Sequence, residues 1–166
     1  MELYLIRHGL AAERGTYATD EERPLTEEGM RKTRRVAKRL SALNLKFDLI
    51  QTSPLVRAKQ TAEILRETGL CSGVEESVYL APAGDFNAWL DWLWHWQTAD
   101  KRTSLAIVGH EPDLGEWTEQ LVWGEVQQHL IVKKAGVLGI EIPAERSPIG
   151  QCYLFWLTPP RLLLED

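Results

Sequence analysis

The sequence predicts an α/β protein, a three-layer α/β/α sandwich built on a mostly parallel central sheet. Strand-length apolar runs alternate with stretches of helical periodicity along most of the chain, the pattern of parallel strands joined by helical crossovers. The segment from Ser104 to Gly109 is a continuous apolar run closed by glycine, as expected of a strand covered on both faces. Near the end, two strand-like segments follow one another with no helix between them, so an antiparallel strand is expected within or beside the sheet.

Leu3 to Ile6 reads as the first buried strand. A helix begins after Thr26, whose hydroxyl can cap it, with Glu27 and Glu28 suited to the positive end of the helix dipole. It runs to about Ser41 with Met30, Val36, Ala37 and Leu40 close to one face. Arg31, Lys32, Arg34, Arg35, Lys38 and Arg39 crowd the rest of that helix, read as a solvated face before a docking patch for an acidic protein. Asp48 to Thr52 is the next strand, and Ser53-Pro54 opens a second helix, a capping hydroxyl followed by proline at the first helical position. Gly69 closes it. Val74 to Tyr79 is a weaker strand, and Phe86 to Trp96 a helix with Phe86, Trp89, Leu90, Leu93 and Trp96 on one face, read as core. After the strand ending at Gly109 come a helix from about Leu114 to Leu121 and strands at Gly136 to Ile142 and Gln151 to Leu157.

A chain of 166 residues, 44% hydrophobic and without biased segments or repeats, suits one domain over residues 1–166. A net charge of −5 argues against a nucleic-acid partner, which needs a basic surface. No apolar stretch approaches a membrane span and no leader precedes the first strand, so a cytoplasmic protein is expected. Cys71 and Cys152 form neither a metal-spaced pair nor a disulfide framework and read as packing residues. His95 and His129 read as packing or surface residues, and without closely paired ligands no metal and no cofactor are expected.

Three polar clusters directly follow three predicted strands: Arg7-His8-Gly9, Ser53 through Arg57, and His110-Glu111. In an open parallel sheet, carboxyl ends of strands share one edge and ligands bind there, so residues far apart in sequence can meet. Two histidines and two arginines in one pocket suit phosphoryl transfer, whose transition state spreads negative charge over three oxygens. Arginine offers a permanent charge and a fork matched to phosphate oxygens. A neutral imidazole can attack phosphorus and form a phosphohistidine that water then hydrolyses, which assigns His8 as nucleophile. Gly9 would let the backbone pass close to the phosphate.

These residues carry a resemblance. Arg7-His8-Gly9, Ser53-Pro54 with Arg57-Ala58-Lys59-Gln60-Thr61-Ala62, and Gly109-His110 resemble the histidine phosphatase superfamily, which includes phosphoglycerate mutases. Arg23-Pro24-Leu25-Thr26-Glu27-Glu28-Gly29 and Leu80-Ala81-Pro82-Ala83-Gly84-Asp85 most resemble its SixA-type phosphohistidine phosphatases. The resemblance implies a phosphoglycerate mutase-like fold, a covalent phospho-His8 intermediate, Arg7, Arg57 and His110 as the rest of the phosphate pocket, and Arg23 as a substrate-side contact.

Many superfamily members place a glutamate where this chain has Leu80-Ala81-Pro82. An ester expels a strongly basic alkoxide and needs such an acid, whereas the imidazole of phosphohistidine departs neutral once its ring is protonated. The chain is therefore expected to act on phosphohistidine in a protein, with a histidine phosphotransfer domain as the partner the resemblance suggests. A shallow site open to a protein favours a monomer. One alternative is a general phosphomonoesterase using Asp85, Glu111 or Asp113 as acid; the other is a noncatalytic phosphoprotein-binding module.

Overall fold

A computed structural model describes residues 1–97, 103–144 and 147–164. Its strands are β1 (Glu2–Arg7), β2 (Leu49–Thr52), β3 (Val74–Glu76), β4 (Ser104–Gly109), β5 (Val137–Glu141) and β6 (Tyr153–Thr158). Its helices are α1 (Glu27–Ala42), α2 (Val56–Glu67), α3 (Phe86–Trp96) and α4 (Asp113–Trp123), with 3-10 turns at Val78–Leu80 and Pro160–Leu163. The strands form one sheet in the order β3-β2-β4-β1-β5-β6. Pairings from β3 through β1 are parallel, and β5 runs antiparallel between β1 and β6. The expected mixed sheet is present, and β5 is its reversed strand.

Alternation along the central strands sends side chains to two cores. Tyr4, Ile6, Ala106 and Val108 pack with Val36, Ala37 and Leu40 of α1 and Ala58, Ala62 and Leu65 of α2. Leu3, Leu5, Leu105 and Ile107 pack with Trp89, Leu90 and Leu93 of α3 and Leu114, Trp117 and Leu121 of α4. The three layers are thus α1 and α2, the sheet, and α3 and α4. All six basic residues singled out on α1 are exposed, and Cys71 and Cys152 are buried free thiols.

Thr26 caps α1 as expected, its hydroxyl accepting from the Gly29 amide at 2.9 Å. Two expectations fail. Ser53-Pro54 does not open α2, which starts at Val56 with no side-chain cap. The Ser53 amide instead donates to the Val108 carbonyl at 2.9 Å, prolonging the pairing of β2 with β4, and its hydroxyl is left to face another element. The predicted strand from Val74 to Tyr79 stops at Glu76 and becomes a 3-10 turn. Its partner β2 ends at Thr52, opposite Glu76; the Ser77 amide makes the last bond, to the Thr52 carbonyl at 2.8 Å, and the chain then turns.

Trp89 is fully buried, and its indole N–H donates to Gln51 Oε1 at 2.9 Å, tying α3 to β2. Trp89→Ala removes that packing and strands a buried amide oxygen. The expected cost is about 3–5 kcal/mol, measured by urea unfolding.

Candidate active site

The register of three adjacent parallel strands builds the site. Arg7 pairs with Gly109 and Thr52 with Val108, so β1, β4 and β2 end at one level. His8 continues this pairing, its amide donating to the Gly109 carbonyl at 3.1 Å. Arg7 and His8, Ser53, and His110 therefore emerge side by side, and Arg57 joins them from the first turn of α2. A cleft of about 450 Å³ is lined by Arg7, His8, Arg57 and His110, with Arg23 and Glu111 also on its wall.

The His8 ring is held in one tautomer. Its Nδ1 lies 2.7 Å from the Gly9 carbonyl oxygen, which can only accept, so Nδ1 carries the proton and Nε2 keeps its lone pair. Burial, then the neighbouring His110, and then Arg57 and Arg7 push the His8 pKa down to about 3, against the Gly9 hydrogen bond. The His110 ring lies 5.0 Å from it between centroids, and His110 Nε2 shares a 2.8 Å hydrogen bond with Ser53 Oγ. Burial and the Arg57 charge push His110 down to about 4. Both rings are neutral at pH 7.

The arginines are anchored but keep donor capacity. Arg7 Nη1 donates to the Val132 carbonyl at 2.8 Å, and Arg57 Nη1 and Nη2 donate to the Asp20 carbonyl at 2.6 Å and Oδ2 at 2.7 Å. The buried Nε of each has no partner among the described residues. Arg23 reaches Asp20 Oδ1 through Nε at 2.8 Å and Nη2 at 2.8 Å. Asp20 thus joins Arg57 and Arg23, and sequence reasoning missed it. Burial pushes its carboxyl up, but the hydrogen bonds and charges of Arg57 and Arg23 outweigh this and hold it below the usual range. The loop carrying it is fastened by Ala12 N–H to the Pro24 carbonyl at 2.9 Å and Val56 N–H to the Glu21 carbonyl at 3.0 Å.

With this geometry in place, the comparisons with known proteins are decisive. The sequence profile of the histidine phosphatase superfamily (branch 1) matches residues 3–78. The phosphohistidine phosphatase SixA of Escherichia coli (strain K12) is 33% identical over 132 residues, 75% of this chain and 76% of that one. The chain belongs to the histidine phosphatase superfamily. A solved structure of the protein histidine phosphatase SixA complexed with tungstate superposes with a TM-score of 0.85 at 26% identity, covering 98% of this chain and 99% of the other. An uncharacterized protein of Picosynechococcus sp. is 47% identical over 165 residues, 99% of both chains. The fold is phosphoglycerate mutase-like, and the chain is a phosphatase.

For a superfamily phosphatase, the remaining expected site residues divide sharply. Gly9 is not on the cleft wall: its amide donates to Thr61 Oγ1 at 3.1 Å, and a Cβ there would lie 2.4 Å from Thr33 Oγ1. The glycine serves close packing of the loop after β1 against α1 and α2. Asp85 caps α3 through the Ala88 amide at 3.0 Å, and Asp113 accepts from the Ala83 amide at 3.1 Å; neither lines the cleft. Glu111 does, and burial pushes it up to about 7 against the Val132 N–H and the Arg7 charge. Its Oε1 accepts from the Val132 amide at 2.7 Å, so the backbone of one residue, Val132, links Glu111 to Arg7. His95 and His129 are exposed and away from the cleft. Among the described residues no group of three His, Cys, Asp or Glu side chains could hold a metal ion, and no helix is long and apolar enough to cross a membrane.

Glu119, also missed, is fully buried in α4, and its two oxygens accept from the amides of Gln127 and Gln128 and of His129 and Leu130 at 2.6–2.7 Å. Burial pushes it up, yet those four donors hold it below the usual glutamate value. It fixes the segment leading into Val132 and hence Arg7.

Neutral histidines have a direct spectroscopic consequence. The His8 and His110 ring proton shifts should stay constant from about pH 8 to about pH 5 and move only near about 3 and about 4. A midpoint near the ordinary imidazole value of about 6.5 for either would contradict the geometry.

Proposed function

We propose that the protein removes phosphate from phosphohistidine in a partner protein, with His8 as nucleophile. The observation that carries this is the His8 ring itself, a neutral imidazole whose Nδ1 proton is fixed on the Gly9 carbonyl. Its Nε2 lone pair attacks phosphorus, forming a P–N bond as the bond to the substrate nitrogen breaks. The electron pair leaves with the substrate imidazole, neutral because its other ring nitrogen is protonated. In the second step water attacks phosphorus and the pair returns to Nε2, releasing inorganic phosphate. The Nδ1 proton never moves, so the phosphorylated ring stays cationic and remains a good leaving group. Arg7, Arg57 and His110 surround the charge on the transferred oxygens, and Arg23 flanks them from the substrate side. The tungstate bound by the SixA structure, a tetrahedral oxyanion, is of the kind this cation set suits.

Phosphohistidine is favoured because Pro82 stands on the cleft wall where many superfamily members bring an acid. Only residues 81–85 separate the 3-10 turn from α3, too few for an insertion covering the cleft. A site open to a protein surface follows, and a histidine phosphotransfer domain is the kind of partner it suits.

Matched peptides bearing phosphohistidine, phosphoserine or phosphotyrosine, incubated without metal, test the reading. Phosphate release should be fastest from phosphohistidine and fall by about 10⁴-fold or more in His8→Ala. Equal or faster ester cleavage would remove the phosphohistidine preference.

A second reading, a phosphomonoesterase, is favoured by Glu111, whose raised pKa of about 7 leaves it protonated below that pH and able to donate to an alkoxide. Ester hydrolysis would then decline as pH rises through about 7 and vanish in Glu111→Gln. Ester turnover indifferent to both would exclude Glu111 as the acid.

A further inference from the structure

A second, smaller groove of about 250 Å³ adjoins the catalytic cleft, and Leu10 and Lys134 line both. Its floor is apolar, from Leu10, Ala135, Pro160 and Leu164, and its charged groups are Lys32, Lys134 and Arg161. Among the described residues no carboxylate lines it. Lys32 is paired with Glu28 at 2.5 Å, but neither Lys134 nor Arg161 forms an ion pair among the described residues. Lys134 is instead surrounded by like charge. Burial and the fields of Arg7, Arg23, Arg57 and Arg14 all lower its pKa.

Its position is rigidly coupled to the nucleophile. The Ala135 amide donates to both the Arg7 carbonyl at 3.1 Å and the His8 carbonyl at 3.2 Å. Ala135 holds a left-handed backbone, φ 59°, a conformation disfavoured for alanine and kept in place by these contacts. The turn that carries Lys134 is therefore fastened to the backbone of the catalytic pair. A lysine and an arginine without counter-ions among the described residues, beside an apolar floor and next to the phosphoryl site, match a short apolar stem ending in a carboxylate.

We propose that this groove is a subsite for an aspartate or glutamate of the phosphorylated protein, flanking the phosphorylated residue and received by Lys134 and Arg161. The proposal rests on the reading of the substrate as a phosphoprotein, and it adds a sequence preference to it.

The test uses paired peptides with glutamates or alanines around the phosphorylated residue, each made with phosphohistidine and with phosphoserine, on wild type, Lys134→Glu and Arg161→Glu. The readout is the ratio of kcat/KM between glutamate and alanine peptides, from which any general loss of activity in a variant cancels. In wild type the ratio should be about threefold to tenfold, carried by KM and reduced by added salt, because exposed charge pairs are modest and screened. Each charge reversal should bring it to one or below. A wild-type ratio of one, or a ratio unchanged by both reversals, would overturn the subsite. Turnover of the phosphoserine pair alone would overturn the phosphohistidine reading, while the glutamate-to-alanine ratio on that pair would still decide the subsite.

Discussion

β4 touches water on neither face. Leu105 and Ile107 pack beneath α3 and α4, Ala106 and Val108 beneath α1 and α2, and β1 and β2 occupy its edges. A slip of one residue would push Leu105 and Ile107 into the space fitted to Ala106 and Val108 and leave voids in the opposite layer, at about 1–3 kcal/mol for each misfit. That constraint fixes the level at which β1, β2 and β4 end, and every catalytic candidate hangs from those ends. Arg7 lies opposite Gly109 and Thr52 opposite Val108, so His8, Ser53 and His110 follow at one edge without any further device.

Electrostatics then set what the assembled groups can do. Arg7, Arg23 and Arg57 line one cleft, and their repulsion would work against keeping them close. Asp20 gives Arg57 and Arg23 a shared anionic partner, while Val132 gives Arg7 a neutral acceptor. The same positive field that draws in a phosphoryl group disfavours protonation of His8 and His110, in addition to their burial. The proposed nucleophile and the proposed anion site therefore reinforce each other. A phosphate dianion entering the cleft counters that field, and its charge makes protonation of His110 easier just where charge gathers on the transferred oxygens.

What could be read from the sequence was whatever depends on neighbours along the chain. The apolar run at Ser104–Gly109, the Thr26 cap and the aromatic face of Phe86–Trp96 are local signals, and each element formed where its signal lay. Arg7, His8, Arg57 and His110 could be picked out because each lies at or soon after the end of a strand and the parallel sheet gathers such positions. Ser53-Pro54 misled because a serine before proline has the form of a helix cap, while the pairing with β4 claimed Ser53 for the sheet. Asp20 was illegible because its partner Arg57 is 37 positions away and the contact depends on the path of an irregular loop. Glu119 resembled any polar residue in a helix, since its four partners belong to a segment without periodicity. Gly9 was read as letting the backbone pass close to the phosphate, yet what a side chain there would meet is Thr33.

In the proposed reaction the Gly9 carbonyl fixes the proton on His8 Nδ1 and leaves Nε2 to take the phosphoryl group. The most direct measurement is to quench the protein in alkali during turnover and determine by phosphorus NMR and peptide mass spectrometry where phosphate is bound. A phosphoryl group on Nε2 of His8 is the expected result. Attachment through Nδ1, or on any residue other than His8, would contradict it.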